Sequence, residues 1–180
     1  MKQLLSLLLC LSIIVPSMAK KEQRKQNVFP DGTPISEWFL QTKVVHPDSL
    51  GKKYDLSDYG IESNPHIVQT QKIQKIIDEA AANGGGVIYI PEGIYKSGSL
   101  FFKQGTHLYL SKGATLLGSE NIMDFPLLMT RIEGEYCKYF GALINADGLD
   151  TFTISGKGTI DGNGTPYWKA FRLRRKIGRA

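Results

Sequence analysis

Few side chains in these 180 residues stand where they could do chemistry. Asp55 and Asp58 lie three apart in Tyr54 to Gly60, and paired carboxylates could share acid and base work or hold a cation. No His or Glu joins them at a ligand spacing, so the better reading is a turn-rich strand end whose aspartates bond nearby backbone. Asp161 lies in Asp161-Gly162-Asn163-Gly164, a sharp turn. His66 follows Pro65 and reads as a surface or capping histidine. Trp38 could stack on a sugar, but with Ile35 and Phe39 it reads better as a short docked amphipathic segment. Arg172, Arg174 and Arg175 could pair bidentately with carboxylates of an acidic ligand, against the plainer reading of a solvated or frayed basic end. The pattern implies no cofactor and no metal.

The elements that must position these residues are organised around Gly84 to Gly118, where short apolar strands alternate with glycine or proline breaks. Shifting Ile88 to Tyr95 by 20 residues superposes Ile88 on Leu108, Ile90 on Leu110 and Gly93 on Gly113. A shift of 44 sets Leu108 on Phe152, Leu110 on Ile154, Thr115 on Thr159 and Leu116 on Ile160. A rung of about 20 residues without an internal helix is the signature of a β-solenoid, in which each rung buries its apolar row only by stacking on the next. Period two sends Ile88, Ile90, Leu108, Leu110, Phe152 and Ile154 to one face and Tyr89, Tyr109 and Thr153 to the other. A β-sandwich with evenly spaced strands is the competing fold. From 66 to 82, Ile73, Ile76, Ile77, Ala80 and Ala81 form one helical stripe, with Asn64 or Thr70 as N-cap and Asn83-Gly84 as C-cap. A lone amphipathic helix before the first rung would cap the solenoid's exposed apolar end. The rhythm lapses from Gly118 to Leu143, where Asn121 to Pro126 reads as a turn or short helix and Arg131 to Cys137 as a degenerate rung or inserted loop.

Residues 1–19 read as a secretory signal: Lys2, an apolar run from Leu4 to Val15, then Ser17-Met18-Ala19 before a cut ahead of Lys20. That run is well short of the roughly 20 residues that span a bilayer, so no membrane anchor is expected. Residues 20–50 form a lead-in, 51–168 the rungs with their cap helix, and 169–180 a basic tail. After cleavage Cys137 would be the sole cysteine, so no intrachain disulfide is expected. The net charge of +5 comes from the two ends, +6 in 169–180 and +4 in 1–25, which leaves −5 for 26–168. An acidic body argues against a nucleic-acid-binding face.

Tyr54 to Gly60, the helix with Thr70, Ile73, Gln74, Ile77 and Asp78, then GGGVIYIPEGIY, LYLSKGATLLGS and ISGKGTIDGNG in that order resemble the N-terminal part of the polygalacturonase and rhamnogalacturonase family of glycoside hydrolases. The resemblance covers nearly all of the chain after the leader. It departs where the family often has paired aspartates before the helix threonine, since Val68 and Gln69 stand here. It implies an all-β, right-handed parallel β-helix with an N-terminal capping α-helix. It also implies inverting hydrolysis of galacturonosyl linkages in pectic polysaccharide (galacturonan or rhamnogalacturonan), by a monomer. The family's Asn-Thr-Asp, Asp-Asp, Gly-His-Gly and Arg-Ile-Lys motifs do not occur in this sequence. Catalytic residues are therefore expected beyond Ala180, which makes the chain an N-terminal fragment that is inactive alone, with Arg172, Arg174 and Arg175 as substrate-binding candidates. A non-catalytic β-helix adhesin or spacer, and a β-helix uronate lyase or epimerase, are the alternatives.

Overall fold

The computed structural model describes residues 28–40 and 45–178. The leader over 1–19 lies outside the described residues. Residues 28–40 belong to a separate compact unit. There the Phe29 to Pro34 turn closes by a Gly32 N–H bond to the Phe29 carbonyl at 2.9 Å, and Asp31 accepts from the Thr33 N–H at 2.9 Å. Over Ile35 to Phe39 the structure has a single 3₁₀ turn, Glu37–Leu40, in which Trp38 stacks on Phe39 at 3.7 Å.

The second unit is a coil of parallel strands. Its strands are β1 (Lys53–Asp55), β2 (Asn64–Val68), β3 (Gly86–Ile90), β4 (Gly93–Ser97), β5 (Leu100–Phe101), β6 (Thr106–Leu110), β7 (Ala114–Gly118), β10 (Ile144–Asn145), β11 (Ile154–Gly156) and β12 (Thr159–Asp161). They form three parallel sheets, β1-β3-β6-β11, β2-β4-β7-β12 and β5-β10, so each turn of the chain contributes in order to successive faces of a β-helix. Period two fixes what points inward. Tyr54, Ile88, Leu108 and Ile154 are successive register partners in the first sheet, and Tyr95, Leu116 and Ile160 in the second. Within each row burial is nearly complete until the last coil, where Ile154 is 47% and Ile160 43% exposed because no described segment lies over them. Tyr89 and Tyr109 point outward as expected and stack at 5.4 Å.

The rung length is as read, with two local slips. The 20-residue shift holds along all of β3 and β6, then becomes 21 between β4 and β7, pairing Gly93 with Ala114, because the turn after β6 is one residue longer. The 44-residue shift holds between β7 and β12 but becomes 46 between β6 and β11, so Ile154 rather than Phe152 lies over Leu108. Phe152 packs instead against Phe102 at 4.9 Å.

Helix α1 spans Thr70–Ala82, shorter than 66–82, because Asn64–Val68 pairs with β4 as a strand. Neither proposed residue caps it. Asn64 accepts from the His66 N–H, Thr70 Oγ1 accepts from the Gly98 N–H at 2.7 Å, and Gln69 stands at the N-cap with its amide turned to the Glu62 carbonyl. Ile73, Ile76, Ile77 and Ala80 are buried, and the helix packs across β3 to β6. Gln74 fastens it: its amide donates to the Phe101 carbonyl at 2.9 Å and accepts from the Phe101 N–H at 2.8 Å, as a neighbouring strand would. Gln74→Leu would leave both backbone groups unpaired, and a loss of about 2 kcal/mol is expected in urea unfolding.

Candidate functional site: a groove beside an antiparallel hairpin

The segment read as a degenerate rung or loop is a hairpin, β8 (Leu127–Ile132) against β9 (Glu135–Phe140), and the short helix before it is a 3₁₀ turn, Ile122–Asp124. Its two-residue turn places Glu133 at φ 51° and Gly134 at φ 93°, the positive angles that match hairpin twist. Two six-residue runs around an X-Gly pair were the available signal, masked because Glu occupies the position where Asn or Asp is usual. Arg131 faces Tyr136 across the ladder, its guanidinium 5.9 Å from the ring centre, while its Nε donates to the Gly134 carbonyl at 3.1 Å.

Between the hairpin and strands β5 and β10 runs a groove of about 1020 Å³. Phe101 and Phe102 line one side, and Met129, Arg131, Tyr136 and Tyr139 the other. Asn145 is held by bonds to the Leu100 and Ala142 carbonyls and the Ala142 N–H, which shape the groove and leave its amide no free group. Aromatic rings with one guanidinium can hold a ring-shaped, acidic ligand. Asp147 is the one carboxylate on the lining among the described residues, and inverting glycoside hydrolysis needs two, about 6.5–9.5 Å apart.

Four other carboxylates make bonds that hold the coil. Asp78 lies 2.8 Å from Lys103, whose bond, aided by Gln74, holds its pKa below the usual value. Glu120 is 2.6 Å from the buried Lys96, which depresses its pKa together with Asn163. Asp124 bonds Ser119 Oγ, and Asp161 accepts from the Asn163 N–H at 2.8 Å, the turn expected for it. Among the described residues no three His, Cys, Asp or Glu side chains group as a metal site.

Asp55 and Asp58 are not a working pair. The strand read over Tyr54 to Gly60 ends at Asp55, and a 3₁₀ turn, Leu56–Tyr59, follows with Asp55 as its N-cap. Burial acts to raise the Asp55 pKa, but bonds from Ser57 Oγ at 2.7 Å, the Ser57 N–H at 3.1 Å and Lys53 Nζ at 3.1 Å outweigh it and hold it low. A depressed folded value contributes stability above the unfolded pKa, lost as pH falls through the folded one. Urea midpoints should therefore fall with acidification across the aspartate range, and Asp55→Asn should be less stable at neutral pH with a flatter profile.

The basic end is a helix rather than a loop: α2 runs Thr165–Ile177 and takes in the start of the tail. It carries Arg172 and the exposed Arg175, and Arg174 falls on its backbone. Arg172 borders a hollow of about 340 Å³ with Thr165, Trp168 and Lys169. Neither Arg172 nor Arg175 lines the hairpin groove.

Coil and groove define a parallel β-helix protein with an aromatic-lined groove on its outer surface. No family model matches the sequence. The chain is 34% identical over 152 residues, 80% of its length and 24% of the relative's, to an exo-poly-alpha-D-galacturonosidase of Dickeya chrysanthemi. It is 28% identical over 64% of its length, and 26% of the relative's, to a probable polygalacturonase of Vitis vinifera. A plasmin and fibronectin-binding protein A of Streptococcus pneumoniae matches at 37% over 69% of this chain and 17% of that protein. Among solved structures, a family 28 exopolygalacturonase of Yersinia enterocolitica superposes with a TM-score of 0.56 at 33% identity, covering 62% of this chain and 21% of that one. A hyperthermoactive exopolygalacturonase of Thermotoga maritima gives 0.59 at 24% identity, over 70% and 28%. The chain belongs to the polygalacturonase-like family, with the right-handed parallel β-helix of that family. It spans about a quarter or less of the length of these curated relatives.

Proposed function

We propose that this chain is an exported, substrate-gripping part of a glycoside hydrolase that cuts galacturonosyl linkages of pectic polysaccharide with inversion, and that alone it binds polygalacturonate as a monomer without cleaving it. The identity to the Dickeya enzyme over four-fifths of the chain carries this reading. The groove supports it, offering Tyr136, Tyr139 and Arg131 to a polyuronate and only Asp147 as a carboxylate. Affinity electrophoresis through polygalacturonate, with a neutral galactan as control, tests binding, and a reducing-end assay tests cleavage. Retardation in the acidic polymer alone, weakened by Arg131→Gln, with no new reducing ends, is the expected result. Release of reducing ends would refute the non-cleaving role, and equal mobility in both gels would refute the binding.

A second reading, a β-helix adhesin, is favoured by the match to the pneumococcal protein. Capture on immobilised fibronectin without retardation in polygalacturonate would select it.

A further inference from the structure

In α2, Thr165, Trp168, Lys169 and Arg172 follow one another at i, i+3, i+4 and i+7, so they share one stripe. The hollow they border, about 340 Å³, is at the lower end of the roughly 300–1,000 Å³ usual for small-ligand sites. Trp168 is 61% exposed and meets Phe171 edge-on at 5.7 Å, so a second ring steadies the indole. No ion pair involves Lys169 or Arg172 among the described residues, and residues 165–177 contain no acid. On the far side of the helix the Tyr167 hydroxyl donates to the Ser119 carbonyl at 2.7 Å and its ring meets Phe125 edge-on at 6.4 Å. That anchorage turns the stripe outward.

We propose that this stripe is a binding site for a sugar acid, distinct from the hairpin groove. Trp168 stacks on the C–H face of the sugar ring, and Arg172 and Lys169 take its carboxylate. A basic amphipathic helix could instead lie on an anionic bilayer. Here, however, Trp168 stands among the cations, while Leu173 and Ile177 project from another side of the helix, which is the layout of a stacking site. The identity of the acid as galacturonate rests on the function proposed above; the layout does not.

The chain has two tryptophans, Trp38 and Trp168, so Trp38→Phe leaves Trp168 as the single indole reporter. Titrating this variant with trigalacturonate should give a saturable fluorescence change. Arg172→Gln should weaken the affinity at least ~10-fold, from loss of a charge-assisted bond, and Lys138→Gln on β9, which lines neither hollow, should leave it unchanged. Methyl-esterified trigalacturonate should give little response. A silent Trp168 in a chain still retarded by polygalacturonate would overturn the α2 site and leave the proposed function standing. Silence together with no retardation would overturn both. An equal response to hexaglutamate would exclude ring stacking, and a blue shift with phosphatidylglycerol vesicles but not with trigalacturonate would replace the sugar acid by a membrane surface.

Discussion

Leu108→Ala is expected to lower the free energy of unfolding by about 3–5 kcal/mol, the upper range for emptying a core leucine site. Leu108 is fully buried between Ile88 and Ile154 in the inward row of the first sheet. Parallel coils stack at the fixed strand spacing of about 4.8 Å, so neighbours cannot close over the gap without breaking ladder bonds. The deleted methyl groups therefore leave a cavity rather than a collapse. Urea unfolding followed by far-UV circular dichroism measures the loss. Leu173→Ala, which removes the same groups from an exposed helical site, should stay within about 0.5 kcal/mol.

Gly85→Ala should cost about 2–5 kcal/mol, from backbone strain of about 1–3 and overpacking of similar size. Gly85 lies just past α1 at φ 103°, donating back to the Ala80 carbonyl at 2.8 Å, a conformation that costs an L-residue dearly. An added Cβ would also strike the carbonyl oxygen of Gly105, which accepts from the Gly86 N–H at 2.9 Å and so begins the pairing of β3 with β6. Relief would come only by moving that oxygen and opening the first bond of the ladder. A urea midpoint shift in Gly85→Ala, against no more than a small shift in the exposed Gly162→Ala, measures the effect.

Most of the coil was legible because its signal is long. The 20-residue shift and period two located the inward residues Ile88, Ile90, Leu108 and Leu110, all buried. What failed was local bookkeeping of turns: one residue more after β6 and two fewer after β11 move the register without altering composition. Helix α1 was readable from its stripe, whereas its start was not, since Asn64–Val68 is drawn into a strand by β4 rather than by its own pattern. The groove was least visible. Hairpin side chains face a surface made by β5 and β10, so no spacing along the chain joins Arg131 to Phe101. The arginines of α2 were recognised by type, but their grouping with Trp168 required knowing that the basic end is helical.

The two hydrogen bonds between Gln74 and Phe101 join a helix and a strand 27 residues apart. Because one side chain satisfies both backbone groups of the strand residue, α1 has no private route to fraying: to loosen it is to expose the Phe101 amide. In hydrogen exchange the Phe101 N–H should therefore share the protection of the α1 amides and open with them as a single foldon. Helix α1 and strand β5 would thus come apart together rather than one at a time.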